Sequence, residues 1–130
     1  MQLRFLNDEA LFFLPVPEAP PQNVTGYNIS QSEILVSWGP VPTDKVNGIV
    51  TEYSVRYLEV GRNNSKHKVF NSSVSKGVVD GLKPFTIYSL SVSASTVKGQ
   101  GPFSIGIHVK TEEEGWFIIT IIIINNHYHV

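Results

Sequence analysis

The stretch from Tyr88 to Thr96 decides the fold, and it reads Tyr-Ser-Leu-Ser-Val-Ser-Ala-Ser-Thr. Apolar and polar residues alternate along it almost without interruption. Because successive side chains of a β-strand point to opposite faces, this pattern predicts a half-buried strand. A helix would scatter the same apolar residues around its axis. The apolar face of the predicted strand consists of Tyr88, Leu90, Val92 and Ala94, and four serines line the other face.

Two other segments alternate in the same way. The segment Ile34–Trp38 has Val36 on the same face as its two end residues. The segment Ile49–Tyr57 alternates Tyr53 and Val55 with polar residues. Clusters of Gly, Pro and Asn separate these segments and predict turns. Several short strands punctuated in this way indicate an all-β sandwich.

Length and composition fit one globular domain. The chain has 130 residues, of which 42% are hydrophobic and 16% charged, and its formal net charge is -1. The near-neutral charge and the absence of a basic run argue against nucleic-acid binding. Because there is no cysteine, the chain carries no disulfide framework and no thiolate zinc site. The most apolar run, 116–124, is shorter than the roughly 20 residues that a membrane-spanning helix needs.

Sequence motifs occur in the order and at the intervals of a known family. From about Pro20 to Thr111 the chain resembles a fibronectin type III domain. The resemblance implies an all-β, seven-stranded antiparallel β-sandwich, with strands A, B and E facing strands C, C′, F and G. The matching motifs are Pro20–Val24 before strand A, Ile34–Trp38 as strand B, Asn47–Tyr57 as strand C and its approach, Leu82–Tyr88 as the corner before strand F, and Gly99–Ser104 as the F–G loop and the start of strand G.

The apolar faces and the resemblance together predict the core. Trp38 is expected to anchor the contact between the sheets, because a buried indole removes roughly 150–250 Å² from water. The resemblance implies that Tyr88 is a corner tyrosine whose hydroxyl bonds backbone a few residues upstream. The predicted core residues are Trp38, Tyr53, Val55, Leu82, Tyr88, Leu90 and Val92.

No catalytic residue, cofactor site or metal site is predicted, and no small-molecule substrate is expected. The chain has no nucleophile elbow, no phosphate-binding Gly-rich loop and no His-Glu-x-x-His motif. Gly99 and Gly101 form a Gly-x-Gly pair, but a further strand is expected after it, so the pair predicts a turn. His127 and His129 stand two positions apart without a third ligand, which is weak support for a metal.

Four Asn-x-Ser/Thr sequons stand at Asn23, Asn28, Asn63 and Asn71, where about one or two are expected by chance. This excess favours an extracellular or cell-surface setting for the chain. Glycans on Asn63 and Asn71 are expected to shield the C–C′ side of the sandwich.

Loops carry a disproportionate share of binding residues, so protein contacts are predicted in the B–C segment Gly39–Asn47 and the F–G segment Lys98–Phe103. Simple connection between strands is the other interpretation of both segments. The individual candidates are Pro40, Thr43, Asp44, Lys45, Lys98, Gln100 and Phe103.

The two ends of the chain depart from the resemblance. Residues 1–19 are expected to be an irregular extension, 20–111 the domain, and 112–130 an acidic and isoleucine-rich tail outside it. The run Phe117–Ile124 has the composition of an aggregation-prone segment. Three explanations stay open: non-native ends of a fragment or mis-joined gene model, an extra strand packed on the domain, or the truncated start of a membrane segment. The first is favoured because Asp8 and Glu9 interrupt any signal peptide.

The resemblance implies a non-catalytic module for protein–protein contact or spacing in a cell-adhesion or receptor ectodomain, beside neighbouring domains of a longer chain. One alternative is an intracellular structural repeat of a muscle or cytoskeletal type protein. A second is the sensor segment of a receptor-type tyrosine phosphatase. The F–G segment has no Arg-Gly-Asp, so integrin attachment is not implied.

Overall fold

A computed structural model describes residues 15–113 of the chain. The predictions for the isoleucine-rich run and for the histidines near the carboxyl terminus lie outside this range. The strands within it are β1 (Thr25–Asn28), β2 (Ile34–Ser37), β3 (Glu52–Glu59), β4 (Lys66–Asn71), β5 (Lys76–Val79), β6 (Ile87–Thr96), β7 (Gly99–Gln100) and β8 (Ile107–Lys110). The described part of the chain contains no helix with the length and apolarity needed to cross a membrane.

The strands form two antiparallel sheets. The smaller sheet has the order β1-β2-β5, and the larger has the order β4-β3-β6-β7, with β8 also paired to β6. In the lettering of the family, A, B and E therefore face C′, C, F and G. The structure confirms the all-β sandwich, including the predicted division of strands between the sheets.

The last predicted strand, G, is divided, which makes eight strands in the described range and not seven. Its first part, β7, pairs with the end of β6, and its second part, β8, pairs with the beginning of β6. Between them Pro102 has no N–H to donate to a ladder. At Ser104 the hydroxyl oxygen accepts the N–H of Val92 at 3.0 Å, in place of a backbone carbonyl. The pairing register with β6 also shifts by two residues between β7 and β8, so the ladder is interrupted between them.

The core lies between the two sheets, and all seven predicted core side chains are buried in it. The ring centre of Trp38 lies 5.3 Å from that of Tyr53 and 5.7 Å from that of Phe70. Trp38 follows β2, whereas Tyr53 and Phe70 belong to β3 and β4, so the indole joins the two sheets. Further buried apolar side chains are Ile34, Val36, Val41, Val79 and Ala94.

The serine face of β6 is more enclosed than its polar composition suggests. Ser91 and Ser93 are 4% and 0% exposed. Ser91 lies opposite Arg56 of β3, and the Nε2 atom of Gln100 donates to the hydroxyl of Ser93 at 2.7 Å. Because β6 is a central strand, longer side chains of the neighbouring strands cover its short serines.

A hydrogen-bonded corner leads from β5 into β6. The hydroxyl oxygen of Tyr88 accepts the N–H of Lys83 at 2.9 Å, five residues upstream. The hydroxyl of Thr111, a residue only 2% exposed, donates to the carbonyl of Lys83 at 2.6 Å and accepts the N–H of Thr86 at 3.0 Å. These bonds hold Phe85 at a φ of +50°, a conformation that bulky side chains rarely adopt.

Candidate protein-contact site

The B–C loop connects β2 to β3. Its tip is a turn in which the N–H of Lys45 donates to the carbonyl of Pro42 at 2.9 Å. The loop is anchored by Val41, which is buried in the core, and by the N–H of Gly39, which donates to the carbonyl of Gln22 at 2.6 Å. The loop is therefore held at its base. The candidates exposed on it are Pro40, Thr43, Asp44 and Lys45.

A short segment ahead of the predicted domain packs against this loop. The N–H of Glu18 donates to the carbonyl of Lys45 at 2.8 Å. The side-chain amide of Asn47 donates to the carbonyl of Val16 at 3.0 Å and to the carboxylate of Glu18 at 3.2 Å. Pro17 is buried. Residues 16–18 thus belong to the folded unit in the structure, although they contain no strand.

The F–G turn is shorter than the sequence predicts. β6 extends to Thr96, which pairs with Gly99, so the turn consists of Val97 and Lys98. The turn predicted from the pair Gly99 and Gly101 is wrong at Gly99 and Gln100, which form β7. Gly99 has a φ of +138°, which glycine tolerates and which lets the chain join the ladder immediately. Val97 is 87% exposed at the tip.

The B–C loop and the F–G turn meet at one end of the sandwich. A Cβ atom placed on Gly48 would lie 3.5 Å from the Thr96 side chain, and one placed on Gly99 would lie 3.1 Å from the Val16 side chain. We call residues 16–18, 43–48 and 97–98 the loop end. The predicted contact residues Thr43, Asp44, Lys45 and Lys98 belong to it.

Gln100 and Phe103 lie away from the loop end, on the outer face of the larger sheet. The Phe103 ring packs on the guanidinium of Arg56, with 4.1 Å from Cζ to the ring centre, and lies 5.8 Å from the ring of His67. This geometry is a cation–π contact. Because Gln100 is bonded to Ser93 on the same face, both candidates form part of a sheet surface and not of a loop tip. No motif in the sequence indicates this stacking.

The four sequon asparagines are exposed, in accordance with the access that glycosylation needs. Asn28 donates through Nδ2 to the carbonyl of Lys110 at 2.9 Å. The Oδ1 atom of Asn71 accepts the N–H of Ser73 at 2.9 Å. Asn63 lies in the connection between β3 and β4, and Asn71 ends β4, so both stand at the C′ strand. Occupancy of the four sites stays a prediction.

Titratable groups meet in one cleft at the opposite end of β3. It has a volume of about 210 Å³, and its lining includes Tyr57, Asp80, Lys83 and Tyr88. Burial, followed by the negative charge of Asp80 and the proximity of Tyr88, raises the pKa of Tyr57. The cleft is smaller than the roughly 300–1,000 Å³ of typical small-molecule sites. Within residues 15–113 no three His, Asp or Glu side chains converge as metal ligands would.

The smaller sheet has the strand order A-B-E and the larger sheet has the order C′-C-F-G. Trp38 packs between the sheets, and Tyr88 forms a tyrosine corner. These features define an immunoglobulin-like β-sandwich. The family profile described as "Fibronectin type III domain" matches residues 19–110. The chain belongs to this family. Domains of the family are generally non-catalytic and generally mediate protein–protein interactions within multidomain chains.

The similar proteins are repeats of larger receptors and adhesion-type chains. Receptor-type tyrosine-protein phosphatase F of Rattus norvegicus is 39% identical over 109 residues, which are 82% of this chain and 6% of the relative. The third fibronectin III domain of the human KIAA0343 protein has a TM-score of 0.69 at 30% identity, covering 77% of this chain and 86% of that one. The FN1–FN3 domains of chicken CNTN1 have a TM-score of 0.67 at 29% identity, and the match covers 75% of this chain and 32% of that one. The chain thus spans only about one twentieth of the curated relatives it matches.

Proposed function

We propose that this chain is a non-catalytic contact and spacer module of a cell-surface receptor or adhesion protein. One observation carries the proposal: the chain belongs to the fibronectin type III family and resembles single repeats of receptor-type phosphatases, of which it spans about one twentieth. The exposed positions of all four sequons support a setting in which glycans can be attached.

The partner is a protein, and the loop end is its proposed contact surface. The loop end presents charged side chains of both signs, at Asp44 and Lys45, beside the exposed apolar Val97. A mixed surface of this kind suits a partner with a polar rim around a small apolar centre. The neighbouring domains of a longer chain are further proposed partners, because the matching chicken structure holds three such domains.

A sensor or spacer segment of a receptor-type tyrosine phosphatase is the second candidate function. It is favoured by the 39% identity to receptor-type tyrosine-protein phosphatase F. In that case another part of the parent protein carries out catalysis, and this segment acts as a spacer or as a sensor.

The first experiment measures the mass of the native protein that carries this sequence, before and after enzymatic removal of N-glycans. A large species whose mass falls on deglycosylation supports a receptor or adhesion ectodomain. A species with the mass of the 130-residue chain and no shift contradicts the proposal and favours an intracellular structural module.

The second experiment tests the contact surface. The chain is displayed in multiple copies on beads, and binding to intact cells is measured for Asp44→Lys and Lys45→Glu. Lys76→Glu serves as the control, because Lys76 is exposed on β5, outside the loop end. A contact role predicts that the two loop-end variants lose binding and the control keeps it. Equal binding by all three would assign contact to another surface.

A further inference from the structure

The sandwich has two open sides, where strands at the edges of the two sheets lie next to each other. On one side β1 of the smaller sheet lies beside β8 of the larger, and on the other side β5 lies beside β4. A strand at a sheet edge has backbone N–H and C=O groups that can pair with another chain. Each open side is therefore a potential site of self-association.

On each side one polar side chain already reaches across the gap. Asn28 of β1 donates to the carbonyl of Lys110 in β8 at 2.9 Å. Lys68 of β4 donates to the carbonyl of Val78 in β5 at 2.8 Å and lies 3.6 Å from the carboxylate of Asp80.

These two side chains belong to the inner faces of their strands. Asn28 pairs with the buried Ile34, and Lys68 pairs with the buried Val55. Paired residues share a face of the sheet. An inward-pointing charged residue on an edge strand, such as Lys68, is a known obstacle to edge pairing. The side formed by β4 and β5 thus already carries one such obstacle, whereas Asn28 on the other side is polar but uncharged.

The four sequons flank the same two edge strands. Asn23 stands just before β1, and Asn28 is its last residue. Asn63 stands just before β4, and Asn71 is its last residue. The remaining strands of the described range carry no sequon. All four sequons are therefore placed at the ends of one edge strand on each open side.

The geometry at Asn28 and Asn71 is compatible with a sugar. An N-glycan replaces one of the two hydrogens on Nδ2, so Asn28 retains one N–H for the carbonyl of Lys110. At Asn71 the bond to Ser73 uses Oδ1 and leaves Nδ2 out of that contact. Tyr27 and Val69 on the same two strands are apolar and 61% and 56% exposed. Without glycans, these side chains would favour association of the edge with another copy of the chain.

We propose that N-glycans at these four asparagines cover the two open sides and prevent a second copy of the chain from pairing with β1 or β4. The proposal rests on the proposed cell-surface function, because only a chain that enters the secretory pathway receives these glycans. It directs protein contacts to the outer faces of the two sheets.

The test uses the full chain, secreted from mammalian cells, with glycan occupancy read by mass spectrometry. Self-association is measured by sedimentation equilibrium before and after enzymatic removal of the glycans from the folded protein. We expect the dimer dissociation constant to fall by roughly tenfold or more on deglycosylation, a change of about 1.4 kcal/mol. Hydrogen exchange should show new protection of backbone amides in β1 or β4.

Two matched variants separate glycan loss from side-chain effects. One double variant carries Asn63→Gln and Asn71→Gln, and the other carries Ser65→Ala and Ser73→Ala. Both abolish the same two sequons through different side chains, so the two variants should self-associate to the same extent. Adding Val69→Lys to either pair should restore the monomer, because a lysine on an edge strand opposes pairing. Association that persists with Val69→Lys and without new protection in β1 or β4 overturns the inference.

The outcomes distinguish the two proposals. If the sites are occupied but removal of their glycans leaves self-association unchanged, the edge-covering role is overturned and the proposed cell-surface function is unaffected. A native protein whose four sites are all unoccupied overturns both.

Discussion

The phenolic oxygen of Tyr88 lies 2.9 Å from the backbone nitrogen of Lys83 and accepts its N–H, which ties the start of β6 to the corner before it. In Tyr88→Phe this N–H loses its acceptor in a partly buried position, which we expect to cost about 1–3 kcal/mol of unfolding free energy. Urea unfolding measures the change. Tyr27→Phe is the control, because Tyr27 is 61% exposed, and it should change stability by less than about 0.5 kcal/mol. Equal changes in the two variants would contradict a structural role for the corner.

Trp38 is predicted to contribute more than any single hydrogen bond, since its ring joins Tyr53 and Phe70 across the core. Trp38→Ala should cost about 3–5 kcal/mol in a urea melt. Among the described residues the Nε1 atom of Trp38 is buried without a hydrogen-bond partner. Trp38→Phe keeps an aromatic ring and removes this unpaired N–H, so it should cost less than half as much. A phenylalanine variant as unstable as the alanine variant would show that the fit of the indole dominates.

Gly77 is predicted to resist substitution because of its neighbour and not its backbone. A Cβ atom on Gly77 would overlap the ring of Phe70, which packs directly over it. Gly77→Ala should therefore cost about 1–3 kcal/mol through overpacking. In a Phe70→Ala background the same substitution should cost little, because the ring is gone. A double-mutant cycle in urea measures the coupling, and additive costs would rule out the overlap as the cause.

Stability is predicted to decline in alkaline solution partly through Tyr57. Burial, with Asp80 and Tyr88 as lesser causes, raises the pKa of Tyr57 above its ordinary value of 10.0. The unfolded chain then releases this proton at a lower pH than the folded one. The contribution of protonated Tyr57 to the unfolding free energy is fully present below the ordinary pKa of tyrosine. It is lost as the pH rises through the folded-state pKa. Tyr57→Phe should show a flatter loss of unfolding free energy above about pH 10 than the parent chain. Parallel profiles would contradict this role of Tyr57.

Local patterns made most of the fold predictable. The alternation in Tyr88–Thr96 and Ile34–Trp38 predicted strands in the correct places, because period-2 burial is a property of each strand by itself. The apolar faces also identified core residues such as Trp38, Val55 and Leu90, since burial of a large apolar side chain depends mainly on its own hydrophobicity.

Contacts between distant parts of the chain were not predictable in this way. Phe103 was assigned to the F–G segment, and its stacking on Arg56, a residue of a non-adjacent strand, was not foreseen. Ser93 was assigned to a polar face, but it is fully buried because Gln100 and the neighbouring strands cover it. Both outcomes depend on which strands lie side by side, and residue type alone carries no record of that arrangement.

The sequence by itself determined the class of fold, the position of the core strands, the tyrosine corner and the four sequons. Only the tertiary structure decided that those sequons flank two of the edge strands, β1 and β4, and that Asn28 and Lys68 reach across the open sides. The physical reason is that strand identity follows from local alternation. The edge position of a strand follows instead from long-range pairing and from the packing of one sheet on the other.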